Sequence, residues 1–489
     1  MPIINVLEYL DAIVVQKPNK AAFCDDNCQL TFAEIDAHSR AIGSALQGEY
    51  YNEPVVVFME KGPAAVSAFF GTLRAGCFYV PLDEEMPRHR IELIFESLKP
   101  RVVICDQTTQ EALNGLDFDG RALCYDDLIR TEVDALALQR IRERAIDTDP
   151  IYVVFTSGST GKPKGVVACH RSVIDYIETL SEILQVSEDT VFGNQAPLYV
   201  DACLKELFPT LKFGASTWFI PKSYFSFPLK LIEYLNAKKI NTVCWVASAF
   251  TMIAALRILN EMQPKYLKTI AFGSELFPVK QLNAWRAACP GARFINLYGP
   301  TEATGMSCYY ELPSDFDGEK VPIGRPFRNT DVFLLDGEIC IRGTCLTLGY
   351  YADEVRTAQA FMQNPLHNRY AELIYRTGDL GEYNERGDLM FVSRKDFQIK
   401  RAGYRIELGE IESAAHSIDG VVAACCLFEE QKKKLVLCYV SEIARAELQK
   451  LLGAKLPQYM MPNVFHQMDA MPMTPNGKID RNGLKERYL

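Results

Sequence analysis

Long hydrophobic runs, a secretory leader and paired cysteine motifs are all missing from this chain of 489 residues. No apolar segment approaches the ~20 residues that a membrane-spanning helix needs. The N-terminal stretch MPIINVLEYLDAIVVQKPNK has no basic start followed by a purely apolar stretch, so it does not resemble a signal peptide. The 15 cysteines include no CxxC pair, which in a chain without a signal peptide favours reduced thiols. We therefore expect a cytoplasmic protein without a membrane span.

An excess of positive charge is also missing. The formal net charge is −10, which argues against a nucleic-acid partner, because proteins that bind nucleic acids usually present a basic face. Hydrophobic residues make up 48% of the chain and charged residues 23%, as in an ordinary globular protein with a sizeable core. The length fits about three domains, or one large domain and a small one.

Short apolar runs alternate with amphipathic stretches through most of the chain. Buried strands are predicted at 54–59, 77–82, 101–106 and 151–155, and helices at 63–73 and 88–98. This alternation predicts an α/β fold with layered, largely parallel sheets. Near residue 396 the pattern changes to a helix, two strands and a second helix. We therefore predict a large N-terminal domain, residues 1–395, and a small α+β C-terminal domain, residues 396–489.

The stretch FTSGSTGKPKGV, residues 155–166, is rich in glycine, hydroxyl side chains and lysine. Such a loop after a strand offers backbone N–H groups and left-handed backbone positions that suit an anion. The Walker A pattern does not fit, because Lys162 is followed by Pro163 and Thr156 stands where that pattern has its first glycine. From composition alone, a flexible surface linker is the simpler interpretation.

Eight further motifs accompany this loop in a fixed order. They are LTFAEID (30–36), LRAGCFYVPLD (73–83), NLYGPTEAT (296–304), GEICIRG (337–343), YRTGDLG (375–381), GYRIELGEIE (403–412), LPQYMMP (456–462) and PNGKIDR (475–481). Together with the loop they resemble the signatures of the adenylate-forming superfamily, in its amino-acid adenylation branch. Within that branch, DFQIK (396–400), YGPTEAT and MTPNGKIDR are similar to the stand-alone D-alanine–carrier protein ligases.

This resemblance implies two half-reactions. A substrate carboxylate attacks the α-phosphate of ATP, which gives an acyl-adenylate and pyrophosphate, and a thiol then takes the acyl group as a thioester. The resemblance implies ATP and Mg²⁺ as cofactors and a mobile C-terminal domain. Because no carrier motif follows PNGKIDRNGLKERYL, we expect a phosphopantetheinylated carrier protein as a separate partner. Two alternatives stay open: an acyl-CoA synthetase acting on a non-amino carboxylic acid, and a nucleotide-binding scaffold without catalysis.

The same resemblance assigns the ATP contacts residue by residue. The loop would hold the β- and γ-phosphates through Thr156, Ser157, Gly158, Ser159, Thr160, Gly161 and Lys164. Asn296 and Tyr298 would contact adenine, and Asp379 and Arg394 the ribose. Ser274, Glu275, Gly299 and Thr301 complete the ATP set, with Thr301 on phosphate as a catalytic residue and Glu302 as the Mg²⁺ ligand.

Lys478 would be the mobile catalytic lysine that bridges the substrate carboxylate and the α-phosphate, and Asp396 would be the hinge of the small domain. Without the resemblance, Lys478 would be a solvated charge near the end of the chain. The GDLG around Asp379 would likewise be an ordinary hairpin turn.

Asp201 matches the aspartate that binds the α-amine of amino-acid substrates, although a helix N-cap is its alternative role. The other pocket positions are Ala202, Lys205, Trp245, Ile270, Phe272, Leu297, Gly305 and Met306. The bulk of Trp245 and Phe272 predicts a shallow pocket and a small substrate side chain. Lys205 predicts instead a pairing with a substrate carboxylate, or a lysine that extends along its helix to solvent.

Overall fold

The computed structural model of the chain describes residues 3–48, 50–158, 162–474 and 479–489. It divides into two compact units. The large unit comprises Met1–Glu84, Pro100–Val154 and Gly165–Lys395, and the second unit comprises Glu85–Lys99, Phe155–Lys164 and Asp396–Leu489. Within the described ranges, no helix is both long enough and apolar enough to cross a membrane.

The strands are numbered in chain order. They are β1 Ala21–Cys24, β2 Gln29–Thr31, β3 Pro54–Phe58, β4 Phe78–Leu82, β5 Val102–Cys105, β6 Arg121–Cys124, β7 Pro150–Thr156, β8 Lys164–Cys169, β9 Val191–Asn194, β10 Ser216–Phe219, β11 Thr242–Val246, β12 Thr269–Gly273, β13 Arg293–Tyr298, β14 Cys308–Glu311, β15 Arg325–Pro326, β16 Thr330–Leu335, β17 Glu338–Gly343, β18 Phe361–Gln363, β19 Leu373–Tyr383, β20 Leu389–Arg394, β21 Gln398–Arg401, β22 Tyr404–Glu407, β23 Val421–Glu429, β24 Lys434–Ser441 and β25 Val464–Gln467.

The helices follow the same order. They are α1 Leu7–Gln16, α2 Phe32–Leu46, α3 Pro63–Arg74, α4 Arg88–Leu98, α5 Gln107–Asn114, α6 Tyr125–Leu128, α7 Ala135–Arg144, α8 His170–Leu184, α9 Leu204–Phe213, α10 Pro228–Ala237, α11 Ala247–Ala255, α12 Val279–Ala288, α13 Glu354–Ala360, α14 Leu408–His416, α15 Arg445–Gly453 and α16 Arg481–Tyr488. Short 3-10 turns at Asp201–Cys203 and Thr301–Ala303 carry four of the predicted site residues, Asp201, Ala202, Thr301 and Glu302.

The described part of the large unit forms three sheets. A nine-stranded sheet has the order β15-β14-β13-β12-β11-β9-β10-β1-β2, and a six-stranded sheet has the order β6-β5-β3-β4-β7-β8. Strands β9 to β13 pair in parallel, and β14 and β15 add antiparallel strands at one edge. Every residue of β3 and β4 is buried, as expected for parallel strands that are covered on both faces. The third sheet is antiparallel, with the order β16-β17-β19-β18 and β20 beside β19.

Two groups of buried side chains cover the opposite faces of the nine-stranded sheet where β11, β12 and β13 run side by side. Val243, Trp245, Ile270, Phe272 and Phe294 belong to the group that packs under α10, α11 and α12. The intervening Cys244, Ala271, Ile295 and Leu297 belong to the group that includes α1, α3, α8 and α9. The alternation follows from the two-residue period of a strand, which sends successive side chains to opposite faces.

The second unit contains α4, the loop residues 155–164 and the chain from residue 396 onward. Strands β21 and β22 form a hairpin, and β23, β24 and β25 form a three-stranded sheet. Ile411 of α14 and Leu448 and Leu452 of α15 pack with Leu437 of β24 in a small apolar core. This core is fully buried because α14 and α15 both direct their apolar stripes toward the sheet.

Most of the predicted elements are confirmed within a residue or two. The predicted strands correspond to β3, β4, β5 and β7, and the predicted helices to α3 and α4. Strand β8 separates the glycine-rich loop from α8. It lies at the edge of the six-stranded sheet.

Candidate active site

The glycine-rich loop follows β7, and its first residues are well placed to donate hydrogen bonds. Thr156 Oγ1 is buried and has no hydrogen-bond partner among the described residues. Ser157 Oγ donates to the backbone oxygen of Arg405 at 2.7 Å, and the Gly158 N–H donates to Glu410 Oε2 at 3.2 Å. The predicted contacts Ser159, Thr160 and Gly161 lie outside the described residues.

The two loop lysines differ in their surroundings. Lys164 is the first residue of β8 and is partly buried. Lys162, at the exposed end of the loop, pairs with Glu96 at 2.8 Å. The described part of the loop therefore combines backbone donors, a buried hydroxyl and nearby cations.

In the large unit, Tyr298, Asp379 and Arg394 form a connected network that we call the tyrosine–aspartate cluster. The Tyr298 hydroxyl donates to Asp379 Oδ2 at 2.6 Å, and Arg394 Nη1 donates to Asp379 Oδ1 at 2.5 Å. Asp379 and Arg394 face each other because β19 and β20 pair in that register. Burial, followed by the Asp379 charge, raises the pKa of Tyr298 far above its ordinary range.

Asn296 lies two residues before Tyr298 on β13 and is nearly buried. Its Nδ2 donates to the backbone oxygen of Pro322 at 2.8 Å. This bond fixes the orientation of the amide, and a fixed side-chain oxygen can accept a hydrogen bond from an amino group. The structure therefore brings together the residues that the sequence assigned to adenine and ribose.

A tight turn follows β13 and carries Thr301 and Glu302. The turn is close-packed at Gly299, where a Cβ atom would lie 2.4 Å from the Gly305 carbonyl oxygen, so only glycine fits. Glu302 is fully buried and its Oε1 accepts a hydrogen bond from the Tyr350 hydroxyl at 2.8 Å. Glu302 offers a carboxylate oxygen and its chain neighbour Thr301 a hydroxyl oxygen. Both are hard oxygen ligands of the kind that Mg²⁺ prefers, so these donor types fit the metal.

Ser274 and Glu275 follow β12 directly. Ser274 adopts φ of +67°, a conformation that costs a non-glycine residue free energy and is concentrated at functional sites. Glu275 Oε2 accepts a hydrogen bond from the Ser248 N–H at 3.1 Å, which ties the end of β12 to the start of α11. Both residues are half-buried at the carboxyl ends of parallel strands, where ligands of α/β sheets usually bind.

Asp201 begins a 3-10 turn that leads into α9, and the N-cap positions of the turn and the helix are Val200 and Cys203. The capping role that the sequence left open for Asp201 is therefore not the one it has here. Lys205 lies one helical turn further on and is only 3% exposed. It does not extend to solvent, so that alternative for Lys205 is wrong.

The next residue, Glu206, is 0% exposed and was not among the sequence predictions. Its Oε2 accepts a hydrogen bond from Asn194 Nδ2 at 3.2 Å, and its Oε1 has no partner among the described residues. Lys61 approaches the same place, with its Nζ donating to the backbone oxygen of Gln195 at 3.2 Å. We call Lys61, Asn194, Lys205 and Glu206 the lysine–glutamate cluster.

Burial dominates the acid–base properties of this cluster. It raises the pKa of Glu206 to about 7, against the opposing effect of Lys205, the Asn194 hydrogen bond and Lys61. It also lowers the pKa of Lys61 to about 8, against the opposing charge of Glu206. The charges of Lys205 and Lys61 both act on the Glu206 carboxylate, and strongly shifted groups that cluster in one place are candidates for a functional role.

Further polar atoms without partners lie around this cluster. The hydroxyls of Tyr152 and Tyr176 and the Asn194 Oδ1 are buried and have no hydrogen-bond partner among the described residues. The charges of Asp201 and Glu206 both contribute to raising the pKa of Tyr176, after burial, so its hydroxyl lies near both carboxylates. Gly305 packs against the Tyr176 ring, because a Cβ atom added to Gly305 would lie 3.3 Å from the ring atom Cζ of Tyr176. Unsatisfied buried polar atoms are rare, and several together indicate a binding site.

The predicted pocket residues are divided between the two faces of the nine-stranded sheet. Leu297 and Met306 belong to the face that includes α8 and α9, and Ala202 packs against it. Trp245, Ile270 and Phe272 belong to the other face, where the Trp245 Nε1 donates to the Gly193 carbonyl oxygen at 2.7 Å. The structure therefore does not bring these three side chains to Lys205, and their bulk does not make a pocket on that face shallow.

From β11, the residue that faces the lysine–glutamate cluster is Cys244. The charges of Glu206 and Lys205 both affect its pKa, which burial raises above the ordinary range. Cys244 pairs with Ala271 in the parallel register, and Trp245 pairs with Phe272. The sequence prediction put Trp245 in the pocket, whereas in the strand its neighbour Cys244 faces that side. Successive residues of a strand point to opposite faces, so a shift of one residue reverses the assignment.

The two remaining predictions concern the second unit. Lys478 lies outside the described residues. Asp396 lies two residues before the start of β21, and its Oδ1 accepts a hydrogen bond from the Gln398 N–H at 3.1 Å. This local bond closes a turn at the position that the sequence assigned to the hinge.

Comparison with known proteins places these features in context. The AMP-binding enzyme family matches residues 10–351, and the AMP-binding enzyme C-terminal domain matches residues 410–478. D-alanine–D-alanyl carrier protein ligase of Staphylococcus aureus is 30% identical, and the match covers 99% of this chain and 99% of that protein. Tyrocidine synthase 1 of Brevibacillus parabrevis is 31% identical over 96% of this chain, which spans only 44% of that longer protein.

The fold itself matches a solved structure. An NRPS protein that contains adenylation and PCP domains, holo-PA1221 bound to a vinylsulfonamide inhibitor, gives a TM-score of 0.82 at 23% identity, over 99% of this chain and 84% of that chain. The predicted α/β class, with a large N-terminal and a smaller C-terminal domain, is confirmed. The boundary between residues 395 and 396 stays a prediction.

Proposed function

Because this chain belongs to the family of AMP-binding enzymes, we propose that it activates an amino acid as an aminoacyl-adenylate and then transfers it to the thiol of a carrier protein. A carboxylate oxygen of the amino acid attacks the α-phosphorus of ATP, and the bond from that phosphorus to the bridging oxygen breaks, releasing pyrophosphate. The carrier thiol then attacks the acyl carbon, loses its proton and displaces AMP. Similarity over the whole chain to a D-alanine–D-alanyl carrier protein ligase supports a carrier protein as the acceptor.

The observation that carries the proposal is the tyrosine–aspartate cluster beside the buried Glu302 turn. In the proposed complex, the Asp379 carboxylate accepts the ribose hydroxyls while Tyr298 and Arg394 hold it in place. A carboxylate oxygen has two lone pairs, so each can accept a ribose hydroxyl in addition to its present donor. Tyr298 also offers its ring face to adenine, whose amino group would donate to Asn296.

The phosphates are assigned to the loop and to Thr301. The loop's N–H groups and hydroxyls would bind the β- and γ-phosphates, and Mg²⁺ held by Glu302 would supply positive charge next to the phosphate oxygens when bound. Lys478 would bridge the substrate carboxylate and the α-phosphate from a C-terminal lid domain, residues 396–489, that turns about Asp396. The large domain, residues 1–395, would then hold both substrates.

The substrate is assigned to the side of the sheet that carries Asp201. The Asp201 carboxylate would pair with the α-ammonium group of the substrate. The buried lysine–glutamate cluster would contact the side chain of the amino acid. Lys61 and Lys205 both act electrostatically on the Glu206 carboxylate there, so the pocket favours a side chain that accepts hydrogen bonds or carries negative charge over a large apolar one. The D-alanine of the ligase relative is not carried over to this chain.

Exchange of labelled pyrophosphate into ATP tests the first half-reaction directly. The full chain, MgATP and a panel of L- and D-amino acids should give exchange with one or a few amino acids. Silence across the whole panel would contradict the proposal. Asp201→Ala tests the amine role, since an enzyme acting on a non-amino carboxylic acid would keep its activity in that variant.

A further inference from the structure

The Glu302 carboxylate accepts a hydrogen bond from a residue that was not among the sequence predictions. Tyr350 belongs to the stretch LTLGYY, residues 346–351, and its hydroxyl donates to Glu302 Oε1 at 2.8 Å. Glu302 is 0% exposed and Tyr350 is 7% exposed. A hydroxyl that donates to a buried carboxylate makes a charge-assisted hydrogen bond, which is stronger than one between neutral groups. The contact therefore holds the Glu302 side chain in one orientation.

The same stretch also holds the main chain of Glu302. The Thr347 N–H donates to the Glu302 carbonyl oxygen at 3.0 Å. Residues 347 and 350 thus bond the glutamate at its backbone and at its side chain. A group bonded at both ends loses little further freedom when it binds a ligand.

The backbone of Tyr350 is fixed by its neighbours in the large unit. Its N–H donates to Thr357 Oγ1 at 2.9 Å, and the residue forms an antiparallel bridge with Val166 of β8. The adjacent Tyr351 N–H donates to the Gly165 carbonyl oxygen at 2.7 Å. Residues 350 and 351 are therefore laid along β8 as an additional strand-like segment.

The Tyr350 ring is packed as well. Its centroid lies 6.0 Å from that of Phe361 at an angle of 68°. Both rings belong to a buried apolar cluster with Tyr375 of β19, the strand that also carries Asp379. Because protein interiors are close-packed, such a ring cannot swing away without leaving a cavity. The hydroxyl is therefore a donor already aimed at Glu302 before any ligand binds.

We propose that Tyr350 is a positioning residue for the Mg²⁺ that accompanies ATP, and that it acts through Glu302. The inference rests on the proposed role of Glu302 as the metal ligand. A carboxylate has about four lone-pair sites, so Glu302 can accept from Tyr350 and still bind a cation. Hydrogen-bond partners that orient metal-binding groups typically contribute about 10- to 100-fold to metal affinity.

Binding of ATP to the full chain tests the proposal, with calorimetry in excess MgCl2 and again in excess EDTA. The ratio of the dissociation constant in EDTA to that in MgCl2, here called the magnesium factor, measures how much the metal strengthens ATP binding. Tyr350→Phe keeps the ring and removes the hydroxyl. We expect its magnesium factor to fall by about tenfold, with the dissociation constant in EDTA unchanged. Tyr351→Phe, at the partly buried neighbour whose ring packs near Phe78, is the matched control and should keep the wild-type factor.

Glu302→Gln shows whether Tyr350 acts through the carboxylate. This variant should itself lower the magnesium factor. Adding Tyr350→Phe to it should change the factor no further, because two residues that act through one interaction are not additive. The double variant leaves no buried charge without its donor. Its comparison with Glu302→Gln therefore carries the test if circular dichroism shows the Tyr350→Phe protein to be unfolded.

Three results would overturn the inference and leave the proposed function intact. They are a wild-type magnesium factor in Tyr350→Phe, an equal loss of ATP affinity with and without metal, and a further fall in the double variant relative to Glu302→Gln. A wild-type factor in Glu302→Gln would remove the metal role of Glu302, and the inference with it. Absence of ATP binding by the wild type would instead contradict the proposed function itself.

Discussion

The tyrosine–aspartate cluster and the lysine–glutamate cluster belong to the same unit but satisfy their buried polar groups differently. In the first, the Asp379 carboxylate uses one oxygen for Tyr298 and the other for Arg394. In the second, the Glu206 carboxylate uses one oxygen for Asn194, and its other oxygen has no partner among the described residues. The first cluster is complete without a ligand, whereas the second is not.

This difference matches the two kinds of substrate that the proposal assigns to them. A nucleotide has the same ribose in every reaction, so a rigid, fully bonded receptor for it costs little reorganisation on binding. The amino-acid side must distinguish side chains, and a site whose buried polar atoms lack partners rejects a ligand that cannot satisfy them. Mutations in the tyrosine–aspartate cluster should therefore affect the use of ATP, and mutations in the lysine–glutamate cluster should affect the use of the amino acid.

Asp379→Asn should have the largest effect. The amide can no longer balance Arg394 or accept from all its present donors, so kcat/KM for ATP should fall by about a thousandfold, as when a buried charge pair is broken. The KM for the amino acid should change little. Pyrophosphate exchange at varied ATP and amino-acid concentrations measures both.

Glu382→Gln, at an exposed position of the same strand β19, is the control and should resemble the wild type. An Asp379→Asn enzyme with full ATP affinity would show that the tyrosine–aspartate cluster is only structural. The tyrosine–aspartate cluster would then not be a receptor for the nucleotide.

The free energy of unfolding should depend on pH because of Glu206 in the lysine–glutamate cluster. Burial raises the pKa of Glu206 in the folded protein from its ordinary 4.5 to about 7. Its stabilising contribution is therefore present below pH 4.5 and is lost as pH rises through 7. The free energy of unfolding of the wild type, relative to Glu206→Gln, should therefore fall by about 3 kcal/mol across this window. Denaturant unfolding of both proteins from pH 5 to pH 8 measures it, and parallel curves would contradict the assigned pKa.

Glu206→Gln should also affect catalysis, by a smaller amount. The neutral amide no longer balances the charges of Lys61 and Lys205, so the KM for the amino acid should change by about tenfold, with the KM for ATP unchanged. Glu233→Gln, on the exposed face of α10, is the control. An equal change in the KM for ATP and the KM for the amino acid would mean that Glu206 supports the folded structure in general and does not determine which amino acid is bound.

The nucleotide residues could be predicted from the sequence because each lies inside a short contiguous motif. Tyr298 and Asp379 belong to NLYGPTEAT and YRTGDLG, and the pairing of β19 with β20 then brings Arg394 to Asp379. The lysine–glutamate cluster has no such signal. Lys61 follows β3 and Glu206 lies in α9, so their approach depends on the packing of two sheets. The one available hint was a pair of charges, Lys205 and Glu206, inside the otherwise apolar run ACLKELF.

The pocket side chains of β11 and β12 were mispredicted for a different physical reason. Trp245 and Phe272 are paired across the strands, as are Cys244 and Ala271. Both pairs are buried, so hydrophobicity alone does not show which one faces Lys205. Parallel strands covered on both faces have no polar alternation to fix the side. Only the fold resolves a shift of one residue.

The smallest expected effect belongs to Tyr298→Phe. The change removes only the hydroxyl that donates to Asp379 Oδ2 and leaves the ring, so the KM for ATP should rise by about fivefold, the value of one neutral-donor hydrogen bond to a carboxylate. Because Arg394 still holds the other oxygen, the carboxylate keeps its place and kcat should be nearly unchanged. Tyr310→Phe, on the partly exposed β14, controls for the loss of a hydroxyl. A fall in kcat/KM for ATP as large as that of Asp379→Asn would mean that Arg394 does not hold Asp379 in place without Tyr298. The tyrosine–aspartate cluster would then have no more redundant bonding than the lysine–glutamate cluster.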